Sequence, residues 1–119
     1  VVVTYNRLGL LRRWLQCVAA QTRPPDEVIV VDNGSTDGSA ELLERYINHG
    51  LVTRIDWPIG GGQLAAYNHS LRMFGRAAEW LAYFDPDEFL VPLQDDDIPS
   101  FLARYPDAAD LRIPRVESA

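Results

Sequence analysis

The chain has 119 residues, 47% of them hydrophobic, and a formal net charge of −6. A chain of this length buries roughly two-thirds of its unfolded surface, which suffices for one domain and not for two. All 11 basic residues are arginines, scattered along the chain, so the sequence predicts no nucleic-acid partner. No apolar run approaches the roughly 20 residues that a membrane span needs.

Short β-branched runs alternate with segments of helical period, which is typical of βαβ units around a mostly parallel sheet. The predicted strands are residues 1–4, 27–31, 51–55, 80–84 and 111–114. The first predicted helix begins near Leu8 and stops before Arg23. The second ends at residues 48–50, glycines 60–62 open the third, and a short one covers about 98–105. The sequence therefore predicts an α/β fold with helices on both faces of the sheet.

The ends of the chain and its single cysteine give further expectations. Residue 1 already belongs to a predicted strand, and the chain stops just after another, so we expect residues 1–119 to be part of a longer domain, trimmed at both ends. Cys17 lies among the apolar positions of the first helix, which predicts a small buried side chain. Without a disulfide framework, a reducing compartment and a cytoplasmic location are expected. His49 and His69 lack metal-ligand spacing and are predicted at a helix end and on a helix surface.

Polar side chains follow three of the predicted strands. Right-handed crossovers make consecutive parallel strands point the same way, so the loops at residues 4–7, 32–37 and 85–88 emerge at the carboxyl edge of the sheet. Ligands bind in the crevice outside that edge. The sequence therefore predicts a binding site there.

The strongest candidate within this site is the acidic pair Asp85 and Asp87. Two carboxylates about 4 Å apart repel by roughly 4 kcal/mol at an effective dielectric of 20, so a cation is expected between them. In an extended segment, alternation places both on one side, with Pro86 stiffening the link. Such oxygen donors suit Mg²⁺ or Mn²⁺. The alternative is a solvated acidic turn, and Glu88 is either a supporting partner or merely exposed.

Three other features of the sequence admit ligand-binding or structural interpretations. Asp32 is a strand-end carboxylate suited to a hydroxyl or imide ligand, whereas residues 35–37 are explained by helix capping. Gly60, Gly61 and Gly62 either let the backbone approach a phosphate at a helix N-terminus or form a flexible bend. The acidic run 95–97 is interpreted as negative charge at the start of the short helix.

These pieces resemble the family-2 glycosyltransferases of the GT-A fold. The resemblance rests on residues 1–7, Val-Val-Val-Thr-Tyr-Asn-Arg, and on residues 27–38, Glu-Val-Ile-Val-Val-Asp-Asn-Gly-Ser-Thr-Asp-Gly. Residues 63–71 and 79–92, with their Asp-Pro-Asp-Glu-Phe segment, look more like the family-92-related branch. The resemblance covers nearly the whole chain and implies the N-terminal, nucleotide-sugar-binding part of a Rossmann-like domain.

The resemblance also implies roles for individual residues. Thr4, Tyr5 and Asn6 would border the nucleotide base, and Asp32 would contact the base or ribose. Asp85 and Asp87 would be the Asp-x-Asp motif, with Asp85 beside the nucleotide sugar and both residues on the metal. The family often carries Ala-Arg-Asn in the third helix, where this chain has Ala-Tyr-Asn. The resemblance thus implies Asn68 as the matching residue and does not carry over an arginine contact to the nucleotide.

The implied function is metal-assisted sugar transfer, aided by Mn²⁺ or Mg²⁺, from a nucleotide-diphosphate sugar such as a UDP-sugar to a glycan or other hydroxyl acceptor. The family's catalytic base lies beyond the Asp-x-Asp segment, so none is assigned. The main alternative is a catalytically idle domain that binds a nucleotide sugar or glycan. A sugar-phosphate nucleotidyltransferase usually needs a lysine near the first strand, and this chain has none.

Overall fold

The computed structural model describes residues 1–57 and 62–116. Along the chain, the elements are β1 (Val2–Thr4), α1 (Leu8–Ala19), β2 (Val28–Asp32), α2 (Ser39–Asn48), β3 (Val52–Asp56), α3 (Gly62–Phe74) and α4 (Ile98–Leu102). The chain divides into two units, Val1–Phe89 and Leu90–Ala119. The first holds the sheet and α1 to α3, and the second holds α4. No helix in the described ranges combines the length and the apolar character of a membrane span.

The sheet of the first unit is parallel, in the order β1-β2-β3. All five residues of β2 are buried, as expected of a central strand covered on both faces. On one face, α1 and α2 pack against Val2, Val30 and Val52. On the other face, Ala66 and Phe74 of α3 pack against Ile29 and Val31. The predicted α/β fold, with helices on both faces, is confirmed.

Two predicted strands are wrong. In segment 80–84, only Phe84 forms a bridge, pairing in parallel with Val2 while its N–H donates to the carbonyl of Val1 at 2.9 Å. Residues 111–114 form no strand either. The apolar pattern of both segments suits a strand, but a strand also needs a hydrogen-bonded neighbour along its length. β1 is three residues long and offers segment 80–84 little to pair with.

Cys17 is exposed, so the prediction of a buried cysteine is also wrong. The buried residues of α1 are Leu11, Trp14, Leu15 and Val18, which follow the spacing of one helical face. At 3.6 residues per turn, Cys17 lies roughly a third of a turn away from the centre of that face. The thiol therefore faces solvent on a helix whose opposite side is in the core.

Candidate functional site

The carboxyl edge of the sheet places three polar residues side by side. Thr4, at the end of β1, pairs with Asp32 of β2, which pairs with Asp56 of β3. Thr4 and Asp32 are almost fully buried, with 1% and 3% of their surfaces exposed. The sequence predicts Thr4 and Asp32 at this edge, and the structure brings them together.

The buried carboxylate of Asp32 is held from two sides. Its Oδ1 accepts a hydrogen bond from the backbone N–H of Ser35 at 3.0 Å. Its Oδ2 lies 3.9 Å from Nη2 of Arg54, which also pairs with Asp56 at 2.7 Å. Sequence reasoning missed Arg54, although a cation within a predicted strand, two residues before the strand end, is an available signal. Arg54 is the cation that balances the acidic residues at this part of the edge.

Two polar atoms at the same edge are buried without a hydrogen-bond partner in the described part of the chain, the hydroxyl of Thr4 and Nε of Arg54. A buried polar group left without a partner costs about 1–3 kcal/mol. Such atoms at the mouth of a parallel sheet are suited to a polar ligand that binds beside Asp32.

The loops after β1 and β2 are fastened to each other by Asn6. Its Oδ1 accepts the N–H of Thr36 at 2.7 Å, and its own N–H donates to Oγ of Ser35 at 3.0 Å. Asn6 has φ of 48°, a left-handed conformation that asparagine tolerates better than most residues. The neighbouring Tyr5 is exposed. The structure thus gives Asn6 a role in joining two loops at the predicted site and leaves the Tyr5 ring available at its rim.

Asp37 connects the starts of two helices. Its Oδ2 accepts the N–H of Leu8, the first residue of α1, at 2.9 Å. Its Oδ1 accepts the N–H and the hydroxyl of Ser39, the first residue of α2, at 3.2 and 2.6 Å. The hydrogen bond from the Ser39 hydroxyl is the main cause that lowers the pKa of Asp37 below its ordinary value of 3.8. The capping role predicted for residues 35–37 is confirmed at Asp37.

The Asp85–Glu88 segment is a turn, so the prediction that it is extended is wrong. The N–H of Glu88 donates to the carbonyl of Asp85 at 3.0 Å, and Oε2 of Glu88 accepts the N–H of Asp85 at 2.9 Å. Pro86 is buried, Asp85 and Glu88 are half-buried, and Asp87 is exposed. These two hydrogen bonds within the turn thus override strand alternation here. Glu88 supports the turn, which decides between the two roles left open for it.

Two residues of α3 that sequence reasoning did not select lie against Asp85. Nε2 of Gln63 donates to Oδ1 of Asp85 and to the hydroxyl of Tyr67, the latter at 2.8 Å. The Tyr67 ring packs on that of Tyr83 with 4.7 Å between centroids. Burial, followed by the charge of Asp85, raises the pKa of Tyr67 to about 12. The i, i+4 spacing of Gln63 and Tyr67 was the available signal, because it places both on one helical face.

Other candidates on α3 are placed as follows. Asn68 is exposed and has no partner among the residues that the structure describes. His69 is half-buried, with its ring 4.8 Å from that of Trp57, so it is less exposed than predicted. Gly62 begins α3 with φ of 74°, a left-handed conformation that suits glycine. Gly60 and Gly61, the rest of the candidate phosphate loop, lie outside the described residues.

The acidic run at residues 95–97 forms contacts around the short helix α4. Oδ1 of Asp97 accepts the N–H of Ser100 at 2.8 Å at the start of α4, and Asp95 pairs with Arg104 at 2.8 Å. The structural role predicted for the acidic run 95–97 is confirmed.

Asp85 and Asp87 are the residues that the sequence predicts as ligands of a divalent cation. Residues 1–57 and 62–116 contain no cluster of three or more acidic, histidine or cysteine side chains that could hold one. Mg²⁺ is commonly bound through one or two carboxylates, with phosphate oxygens and water completing its shell. The donor set of Asp85 and Asp87 fits that chemistry, with a phosphate-bearing ligand supplying the other oxygens.

Comparison with known proteins gives a consistent set of relatives. The family model for Glycosyl transferase family 2 matches residues 1–117. N-acetylglucosaminyl-diphospho-decaprenol L-rhamnosyltransferase of Mycobacterium tuberculosis is 30% identical, over 93% of this chain and 38% of the relative. The lipopolysaccharide core biosynthesis glycosyltransferase LpsC of Rhizobium meliloti is 29% identical, over 75% of this chain and 32% of the relative. The chain thus spans about a third of the length of these curated relatives.

Among solved structures, the mannosyltransferase PcManGT of Pyrobaculum calidifontis, in complex with GDP-Man and Mn²⁺, superposes with a TM-score of 0.56. It is 28% identical, over 72% of this chain and 26% of that chain. The similarity thus extends from the sequence to the arrangement of the strands and helices.

Proposed function

Since the chain belongs to glycosyl transferase family 2, we propose that it binds the donor, a nucleotide-diphosphate sugar, at the carboxyl edge of its sheet, and that the protein transfers the sugar to a glycan or other hydroxyl acceptor. The main observation behind this proposal is that Thr4 and Asp32 lie side by side, next to the loop after β2 that is hydrogen-bonded to Asn6. Asp85 follows Phe84, which pairs with Val2 in the direction of β1. The proposed base-binding and phosphate-binding sides would therefore share one edge of the sheet.

Each side has its own chemistry. Oδ2 of Asp32, at 3.9 Å from Arg54, can accept a hydrogen bond from a base N–H or a ribose hydroxyl, with Thr4 and Asn6 beside it and Tyr5 at the rim. On the other side, Asp85 and Asp87 would hold Mn²⁺ or Mg²⁺ together with the diphosphate. A cation held there would supply Lewis-acid stabilisation of the negative charge on the leaving nucleoside diphosphate. Asn68, exposed on α3, is proposed as a further donor contact.

The donor and the family branch are finer proposals. We propose a UDP-sugar; the solved mannosyltransferase holds GDP-Man, so GDP is the competing nucleotide. The Asp-Pro-Asp-Glu-Phe segment supports a closer relation to the family-92-related branch. No catalytic base is assigned to this chain. A cytoplasmic location is proposed on the ground that the sequence contains one cysteine and therefore no disulfide within the chain.

Calorimetric titration of the 119-residue chain with UDP and with GDP, each with and without Mn²⁺, tests this function. We expect saturable binding of one of the two nucleotides that Mn²⁺ strengthens. Asp32→Asn is expected to weaken nucleotide binding in both metal conditions, whereas Asp87→Asn removes only the metal-dependent part. Absence of binding in all four titrations would contradict the proposal. Binding without sugar transfer, in any longer protein that contains this chain, would favour the idle binding domain instead.

A further inference from the structure

The contact of α3 with the Asp85 turn contains a hydroxyl group whose proton has no acceptor within residues 1–57 and 62–116. Asp85 in its carboxylate form can only accept hydrogen bonds, so the atom of Gln63 that faces it must be the amide nitrogen. That nitrogen carries two hydrogens, and the second one points to the hydroxyl oxygen of Tyr67 at 2.8 Å. Tyr67 is therefore the acceptor in this contact, and its own proton is directed elsewhere.

No other hydrogen bond involves the Tyr67 hydroxyl in the described part of the chain. The ring is half-buried against Tyr83, whose hydroxyl is also buried without a partner there. The position of the Tyr67 hydroxyl is thus fixed by ring packing and by Gln63, while its proton remains available. A fixed donor of this kind beside a carboxylate is suited to an anionic oxygen that binds next to Asp85.

We propose that Tyr67 is a diphosphate-binding residue, whose O–H donates a hydrogen bond to a non-bridging phosphate oxygen of the nucleotide donor, and that Gln63 is its positioning residue. This inference rests on the proposed function, because the phosphate is that of a donor bound at Asp85. Tyr67 occupies the position at which the resembling family often has arginine. A neutral phenol there makes one directional hydrogen bond, whereas an arginine would add a positive charge to the acidic turn.

The test compares nucleoside diphosphate with nucleoside in the full 119-residue chain with Mn²⁺. The ligands are UDP and uridine, or GDP and guanosine if the wild type prefers GDP, and NMR titration follows the weak nucleoside binding. Tyr67→Phe removes the hydroxyl and keeps the ring on Tyr83. It is expected to weaken diphosphate binding about tenfold, as loss of a hydrogen bond to a charged group does, and to leave nucleoside affinity unchanged.

The control is Tyr46→Phe, since Tyr46 lies on α2 and packs against the core on the opposite face of the sheet. It should bind both ligands like the wild type. Gln63→Ala is expected to weaken diphosphate binding without changing nucleoside affinity, because the hydroxyl of Tyr67 is then less fixed. Equal diphosphate affinities of Tyr67→Phe and wild type would overturn this inference alone. Equal loss of nucleoside and diphosphate binding in Tyr67→Phe would also overturn it, since the hydroxyl would then act structurally. A wild type that binds no nucleotide would overturn it together with the proposed function.

Discussion

Replacing Arg54 with leucine is expected to destabilise the chain by about 2 kcal/mol, because it leaves the buried carboxylate of Asp32 without its nearest cation. Opposite charges 3.9 Å apart attract by about 4 kcal/mol at an effective dielectric of 20. Desolvation of the pair offsets part of this attraction. Removing one partner of a fully buried pair costs about 3–5 kcal/mol, and exposed pairs contribute below about 1 kcal/mol. The Arg54 side chain is 25% exposed and that of Asp32 is 3% exposed, so the expected value lies between these limits.

Asp56→Asn is the matched control, because it breaks the other ion pair of Arg54. The Asp56 side chain is 70% exposed, so its pair with Arg54 is screened by solvent and its loss should cost less than about 1 kcal/mol. Combining Arg54→Leu with Asp32→Asn removes both buried charges. The double variant should therefore lose at least about 1 kcal/mol less than the sum of the two single losses.

Urea unfolding, followed by the fluorescence of the chain's three tryptophans, measures each of these free energies. Equal slopes of the unfolding free energy against urea would show that the variants unfold from comparable structures. If Arg54→Leu and Asp56→Asn agreed within about 0.5 kcal/mol, the coupling of Arg54 to the buried Asp32 would be refuted.

Three further predictions concern the metal, the loops and the thiol. Asp87→Asn should remove the Mn²⁺-dependent part of nucleotide affinity in calorimetry while the urea midpoint stays unchanged, because Asp87 is exposed; Asp96→Asn is the control, and an unchanged Mn²⁺ response would contradict the metal assignment. Asp37 has a lowered pKa in the folded chain, so its stabilisation is complete above pH 3.8 and is lost as the pH falls through the folded value. The stability difference between wild type and Asp37→Asn, measured by urea unfolding, should therefore shrink below pH 3.8, and a pH-independent difference would refute the explanation. The thiol of Cys17 should react with Ellman's reagent without denaturant, since it is exposed; protection until the chain unfolds would place it in the core instead.

The order of elements could be predicted from the sequence because it depends on local patterns. The apolar, β-branched run of β2 identifies a buried strand from the sequence alone. In the same way, the helical spacing of Leu11, Leu15 and Val18 identifies one face of a helix. With Trp14 included, the centre of that face lies roughly a third of a turn from Cys17. The error at Cys17 thus comes from assigning an apolar residue to the buried face without regard to its angular position on the helix.

Contacts between elements could not be predicted in the same way. The bond from Gln63 to Asp85 joins residues 22 positions apart, and the approach of Arg54 to Asp32 depends on the register of β2 and β3. No periodic pattern in the sequence indicates either contact, because the packing of separate elements sets the distance between these residues. The strand predicted at residues 80–84 is wrong for a related reason. A strand is defined by its hydrogen-bonded partner, whereas the local sequence pattern reports only the polarity of the side chains.

Helix α1 connects both sides of the candidate site. At its start, the N–H of Leu8 donates to Asp37, which also binds Ser39 of α2. In its middle, Nε1 of the buried Trp14 donates to the carbonyl of Glu88 at 3.2 Å, and Glu88 in turn holds the N–H of Asp85. The loops after β1 and β2 and the acidic turn are therefore connected to one packed helix. Because a rigid support of this kind reduces the ordering that binding requires, the two ends of a bound nucleotide sugar would meet groups that are already in place.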